Sequence, residues 1–254
     1  MTFEKVNSKV VKVNLAAAGE VLARRGAMLF YTGQVGFTPE NAALGGGGGG
    51  YPMPGMGTQM PGMPGRGGGG FAGQMMGAMG RSLAGENEAM MRARGQGEVY
   101  YGRSGLHCTI VPVQGATLTV EASRLLGHTA SLQSSIVSVA SASGGGGGGG
   151  GGLRGMLRGA VASVATGQGM FTTQLSGQGS AVLLSHGGTL ELQVGQHPVV
   201  VDPQAYVGHI GNISIELSTA MSWRDAVGRG SGEAMQLKLM GQGVVFVQAS
   251  EQKL

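Results

Sequence analysis

The tripeptide Gly-Gln-Gly opens a strand-like segment at three places, Gly95-Gln96-Gly97, Gly177-Gln178-Gly179 and Gly241-Gln242-Gly243. A longer match accompanies it: Leu118-Thr119-Val120-Glu121-Ala122 through Gly127-His128 returns 81 residues later as Val199-Val200-Val201-Asp202-Pro203 through Gly208-His209. Duplication of this kind restricts the fold to similar units that pack on one another. The segments around the repeats alternate. Leu106, Cys108 and Ile110 are separated by His107 and Thr109; Leu190, Leu192 and Val194 by Glu191 and Gln193; Leu237 and Leu239 by Lys238, with Gln236 ahead. A period of two with one apolar phase is the pattern of a half-buried strand, and Gly115, Gly187, Gly188 and Gly195 supply turns between such strands. The predicted class is all-β and antiparallel, built of sandwich-like repeats in a pseudo-threefold arrangement.

Glycine sets the boundaries of these units. The chain holds 53 glycines in 254 residues, fifteen of them in the unbroken runs 45–50 and 144–152, where uninterrupted glycine loses too much entropy on ordering to hold a strand or helix. A single domain, 1–254, is therefore expected to carry flexible insertions at 44–84 and 144–166. One repeat is predicted at 86–143 and a second at 168–216. A third is split between the ends, 1–40 plus 232–254, with Val11, Val13 and Leu15 pairing the strand Val244–Val247 and closing the set. Ahead of each Gly-Gln-Gly strand, spacings such as Met75/Met79 and Leu153/Met156/Leu157 suit a short amphipathic helix, and Met221 occupies the equivalent place in the last repeat.

Charge is sparse and unevenly placed. The formal net charge is +4, and Arg66, Arg81, Arg154 and Arg158 lie in or just after the glycine runs; without them thirteen basic residues face thirteen acidic ones. The folded body is neutral, and its covering of Gln, Ser, Thr and Gly suits burial in an oligomer. The insertions carry the basic excess, together with Phe71, Met75, Met76 and Met79. Methionine adapts to irregular apolar surfaces, so this set, with the four arginines, is the candidate contact surface for an anionic membrane or a protein partner. The single cysteine, Cys108, forbids an intramolecular disulfide. Charged residues Glu4, Lys5, Lys9, Lys12 and Glu20 interrupt the first twenty positions, so neither a signal-peptide core nor an organelle presequence is read there, and the expected location is the cytoplasm.

Several segments together carry a resemblance: Val6-Asn7-Ser8-Lys9, Arg25-Gly26-Ala27-Met28-Leu29, the glycine-rich insertion before Gly85-Glu86, Phe171-Thr172-Thr173, Val200-Val201-Asp202-Pro203-Gln204-Ala205-Tyr206-Val207, and Trp223-Arg224-Asp225 to Gly228-Arg229-Gly230-Ser231-Gly232-Glu233. The chain resembles a bacterial member of the altered inheritance of mitochondria protein 24 family. The resemblance implies a fold like that of the tryptophan RNA-binding attenuation protein, three β-repeats per chain, and homotrimers forming a nine-unit ring. It implies no enzymatic activity and no cofactor. The Met/Pro/Gly stretch from Tyr51 to Pro64 departs from a typical member.

The reactive side chains have structural explanations in the sequence. Cys108 falls on the apolar phase of a strand and reads as a buried thiol. His128 and His209 each follow a glycine and read as turn residues. No His-x-His, Cys-x-x-Cys or carboxylate spacing makes a metal set. Ser185, His186 and Asp202 make a catalytic triad only on paper, without a nucleophile elbow, and Asp202-Pro203 is the sequence of a turn. Trp223, Arg224 and Asp225 form the candidate subunit-interface anchor. The favoured function is a non-enzymatic, ring-forming scaffold that acts as a homotrimer. An RNA-binding ring and an uncharacterised enzyme are the alternatives; a neutral body with few aromatic platforms argues against the RNA reading.

Overall fold

A computed structural model describes residues 2–40, 90–138, 171–219 and 235–252. The described chain is almost entirely antiparallel β-structure. Its elements are β1 (Phe3–Asn7), β2 (Val10–Asn14), α1 (Leu15–Ala18), β3 (Val21–Arg24), β4 (Met28–Pro39), β5 (Met90–Tyr101), β6 (His107–Gln114), β7 (Leu118–Glu121), β8 (Leu125–Thr129), β9 (Gln133–Ser138), β10 (Phe171–Ser176), β11 (Gln178–Ser185), β12 (Thr189–Val194), β13 (Val199–Val201), β14 (Tyr206–Thr219) and β15 (Met235–Gln248). One sheet runs β1-β2-β5-β3-β8-β11-β6 with β4 also on β5; the other runs β12-β15-β14-β7-β10-β9 with β13 also on β15. The first sheet nearly closes on itself, because Cys108 N donates to Ser8 O at 2.7 Å across its two ends.

Each Gly-Gln-Gly lies inside a long strand, or between two halves of one, that collects its partners from the segment before it. Strands β2, β3 and β4 all pair with β5, and β12, β13 and β14 all pair with β15. Between them, β6 and β8 pair with β11 while β7 and β9 pair with β10. The registers correspond. Val13 faces Val99, Val111 faces Ala181 and Leu192 faces Val245, each partner lying four positions past the first glycine of its tripeptide. That first glycine has positive φ in all three copies, 131°, 118° and 121° at Gly95, Gly177 and Gly241. At Gly95 and Gly241 an added Cβ would come within 2.2 Å of a facing backbone oxygen, so the positions require glycine.

This pairing corrects the predicted split repeat. The strand carrying Val11 and Val13 pairs with β5, while β15 takes β12, β13 and β14, all from the segment just ahead of it. The Gly-Gln-Gly strand closes a unit instead of opening one, so the groups are contiguous. His128 and His209 are corrected as well: both lie within strands and are buried, 1% and 6% exposed. The glycine before each serves close strand approach. A Cβ on Gly127 would lie 2.6 Å from Leu22 O, and one on Gly208 would lie 2.6 Å from Thr119 O. The predicted helices at 71–85, 153–167 and around Met221 lie outside the described residues.

The apolar phases predicted at 106–110 and 236–239 face the interior, with Leu106, Cys108, Leu237 and Leu239 buried and Ile110 partly buried. Phe3, Val11, Val13, Val99, Tyr101, Cys108 and Leu184 pack in one cluster, Val111, Val113, Leu118, Leu183 and Phe246 in another. Strand β12 departs from this. Its Leu190 and Leu192 are exposed although they sit on the apolar phase. Asn14 Oδ1 caps α1 by accepting from Ala16 N and Ala17 N.

Candidate functional site: an open strand edge

The three groups of strands meet at two seams. At the first, β3 pairs with β8, setting Val21 opposite Thr129, Leu22 opposite His128 and Ala23 opposite Gly127. At the second, β7 pairs with β14 in the same register: Leu118 opposite Ile210, Thr119 opposite His209 and Val120 opposite Gly208. An arginine spans each seam. Arg24 donates from Nε to Leu125 O at 3.0 Å and from Nη2 to Ala122 O. Arg124, itself buried, donates from Nη1 to Gln248 Oε1 and from Nη2 to Gln204 O at 2.8 Å, with Glu121 at 3.7 Å. Burial lowers the pKa of this guanidinium and the nearby Glu121 opposes the shift; arginine nevertheless stays charged.

The corresponding strands at the two ends of the series have no such neighbour among the described residues. β4 pairs only with β5, and β13 only with β15. The first part of β4 corresponds to β8 and to the start of β14, since all three carry a register shift at the same place: Met28/Phe30 against Tyr101/Tyr100, Leu125/Gly127 against Leu183/Val182, and Tyr206/Gly208 against Val247/Phe246. In β8 every residue is buried. In β4, Met28, Leu29, Phe30 and Tyr31 are all exposed, Phe30 at 52% and Tyr31 at 46%. Successive strand residues point to opposite faces, so four consecutive exposed apolar residues leave both faces and the outer edge uncovered. At the other end, Val200 of β13 is 53% exposed, whereas its counterpart Thr119 is buried. Exposed apolar edges of this kind are sites of pairing with another chain.

One feature of the open edge differs from the closed seams. Phe30 stands where they have Gly127 and Gly208, and its ring stacks on Tyr100 with centroids 4.2 Å apart and planes at 16°.

Burial governs the titratable groups near the seams. Tyr206 Oη and His209 Nδ1 are 2.7 Å apart, and burial pushes the His209 pKa down to about 4. His128 is also lowered, chiefly by burial, while its Nδ1 lies 2.9 Å from Thr129 O. Cys108 is buried, and burial pushes its thiol up to about 11. A cavity of about 520 Å³ opens beside β2, lined in part by Lys12, Asn14, Glu98, Gln178 and Ser180. Its charges satisfy one another: the Lys12 ammonium lies 3.3 Å from Glu4 and 3.7 Å from Glu98, and the Glu4 hydrogen bond leads in raising its pKa. Among the described residues no cluster of three or more His, Cys, Asp or Glu side chains forms a metal set. The paper triad is not engaged as one. Ser185 Oγ accepts from Thr189 Oγ1, and Asp202 Oδ1 caps the predicted turn by accepting from Gln204 N at 2.7 Å.

The contact residues predicted from sequence, Arg66, Phe71, Met75, Met76, Met79, Arg81, Arg154 and Arg158, lie outside the described residues, as do Trp223, Arg224 and Asp225. The open edge was not among the predicted sites. Its signal is the unbroken apolar run Ala27–Tyr31, which a strand with one wet face does not explain.

The family model for mitochondrial biogenesis AIM24 matches residues 1–250. The chain belongs to the AIM24 family. No curated protein matches it. Among solved structures, this AIM24-family chain is similar to the crystal structure of a Streptococcus pyogenes protein at 14% identity, covering 98% of this chain and 92% of that one, with a TM-score of 0.61. At that identity the likeness concerns the fold of the AIM24-family chain alone. Among its described residues no helix is long and apolar enough to cross a membrane.

Proposed function

We propose that the chain is a non-enzymatic scaffold that assembles head to tail, with β13 of one copy docking on the first part of β4 of the next. The observation that carries this reading is the contrast between β8, wholly buried between β3 and β11, and its counterpart in β4, exposed on both faces. By the register of the internal seams, Val200 of one copy lies opposite Tyr31 of the next, with Val199 and Val201 opposite Thr32 and Phe30. The seam between copies is wider at Phe30, whose stack with Tyr100 fills the gap. A heterologous contact repeated around an axis gives a ring when the rotation closes. The family resemblance favours closure at three copies, a homotrimer of nine strand groups.

Engineered cysteines test the reading. Residues directly opposite on normally spaced neighbouring strands bring their Cβ atoms within about 5 Å; Phe30 widens this seam, so a short bis-maleimide linker takes the place of a direct disulfide, and the native Cys108 is buried and does not compete. A Tyr31→Cys, Val200→Cys double variant, treated with the linker, is expected to give a covalent ladder that ends at three chains. A ladder extending without limit contradicts closure, and no intermolecular bond at all contradicts the seam.

Docking on membranes or partners through 44–84 and 144–166 is the companion proposal. It rests on the basic, methionine-rich sequence and on the gain that weak contacts make when an assembly presents several copies.

A further inference from the structure

The two seams within the chain follow one plan and differ in what fills them. At the first, Arg92, Leu22 and His128 stand in a row on three adjacent strands. At the second, Gln174, Thr119 and His209 hold the same three places. The first row is occupied by its own side chains: Arg92 Nη1 donates to Glu20 Oε2 at 2.8 Å, and Leu22 is buried beside it. In the second, threonine replaces leucine and glutamine replaces the longer arginine. A cavity of about 170 Å³ opens there, lined by Thr119, Thr172, Gln174, His209, Asn212 and Ser214. Ile213 and Ile215 supply an apolar side.

We propose that this cavity binds a small neutral polyhydroxylated molecule, of the size of a pentose or a hexitol. Three hydroxyls and two carboxamides line it; the Ser214 hydroxyl donates to Met240 O at 3.3 Å and keeps its oxygen as an acceptor, and groups of these types both donate and accept, which matches the hydroxyls of a polyol. None of the six groups carries a charge, so an ion entering the cavity gives up its hydration without a counter-charge. Burial holds the imidazole neutral at pH 7, and Tyr206 hydrogen-bonds its Nδ1. The isoleucines face the C–H surface that such a molecule presents between its hydroxyls. A polar cavity also holds water, and a polyol replaces several water contacts with one ligand. The site lies within a single chain, so it stands whether or not copies assemble.

Saturation-transfer NMR on the intact chain tests the proposal, with D-ribose, D-mannitol and myo-inositol as probes and sodium glutamate and putrescine as charged controls. Transfer is expected to at least one of the three polyols at millimolar concentration, and not to the controls. Thr119→Leu installs the residue that the first seam already buries and is expected to abolish transfer with an unchanged melting temperature; Gln174→Arg serves the same purpose should the leucine variant fail to fold. No transfer to any polyol, transfer unaffected by a folded filling variant, or stronger transfer to a charged control overturns the proposal and leaves a hydrated gap only.

Discussion

Thr119 lies directly opposite His209 across the second seam, in the register in which Leu22 lies opposite His128 across the first. Both histidines sit next to a glycine that admits the neighbouring strand's backbone. The consequences can be measured residue by residue.

A methyl group at position 127 or 208 meets a carbonyl oxygen at 2.6 Å. Gly127→Ala and Gly208→Ala are each expected to destabilise the chain by about 1–3 kcal/mol, the usual range for overpacking. Gly36 has open space around its added Cβ and no positive φ, so Gly36→Ala is expected to be neutral or slightly stabilising. Urea unfolding of the three variants makes the comparison.

His209 has a folded pKa of about 4 against an ordinary 6.5. The unfolded chain therefore binds the proton more readily between those values. The stabilisation is fully present above pH 6.5 and is lost as pH falls toward 4, by an amount on the order of 3 kcal/mol. Chemical denaturation at several pH values across that window is expected to show the loss. His209→Gln, which keeps an acceptor for the Tyr206 hydroxyl, is expected to flatten the profile in part, with buried His128 supplying the remainder. An unchanged slope in the variant contradicts the assignment.

Arg124 joins the second and third strand groups through Gln248 and Gln204. Replacing it with methionine leaves Gln248 Oε1 and Gln204 O each with one donor fewer and removes the cation beside Glu121, which keeps the Ser123 hydroxyl. A cost of about 2–4 kcal/mol is expected from such a loss at a buried site, measured by unfolding in urea.

The sequence made the strands legible because alternation at 106–110, 190–194 and 236–239 reflects the pleat directly. The match between Leu118–His128 and Val199–His209 located corresponding strands, although Asp202 caps its turn and the equivalent Glu121 does not. The phase of the repeat was not legible, since a repeated strand reads the same whether it opens a unit or closes one; only the pairing of Val13 with Val99 decides it. The counterpart of these strands in the first group is hidden in the sequence for a related reason. Met28-Leu29-Phe30 shares little with Leu125-Leu126-Gly127 beyond apolarity, and correspondence appears only in the shared register shift. Glycine before each histidine suggested a turn, but its cause is contact between backbones, which no local pattern reveals.

The amino-terminal strands have a corrected role that deletion can test. β2 covers β5, and Val99 and Tyr101 are buried beneath that contact. Removing residues 1–15 is expected to expose this edge and cause aggregation. A soluble deletion variant with an unchanged melting temperature shows that the strands are an appendage.

The molar mass of the chain in solution, measured by light scattering on the wild type and on a Tyr31→Lys, Val200→Lys variant, tests the central account most directly. Charges placed on both sides of the proposed seam, at positions exposed within one copy, leave the fold of each chain intact and oppose docking. A mass of three chains is expected for the wild type and of one chain for the variant, with the same circular dichroism. A wild type that is monomeric at micromolar concentration, or an assembly that the two lysines leave unchanged, contradicts it.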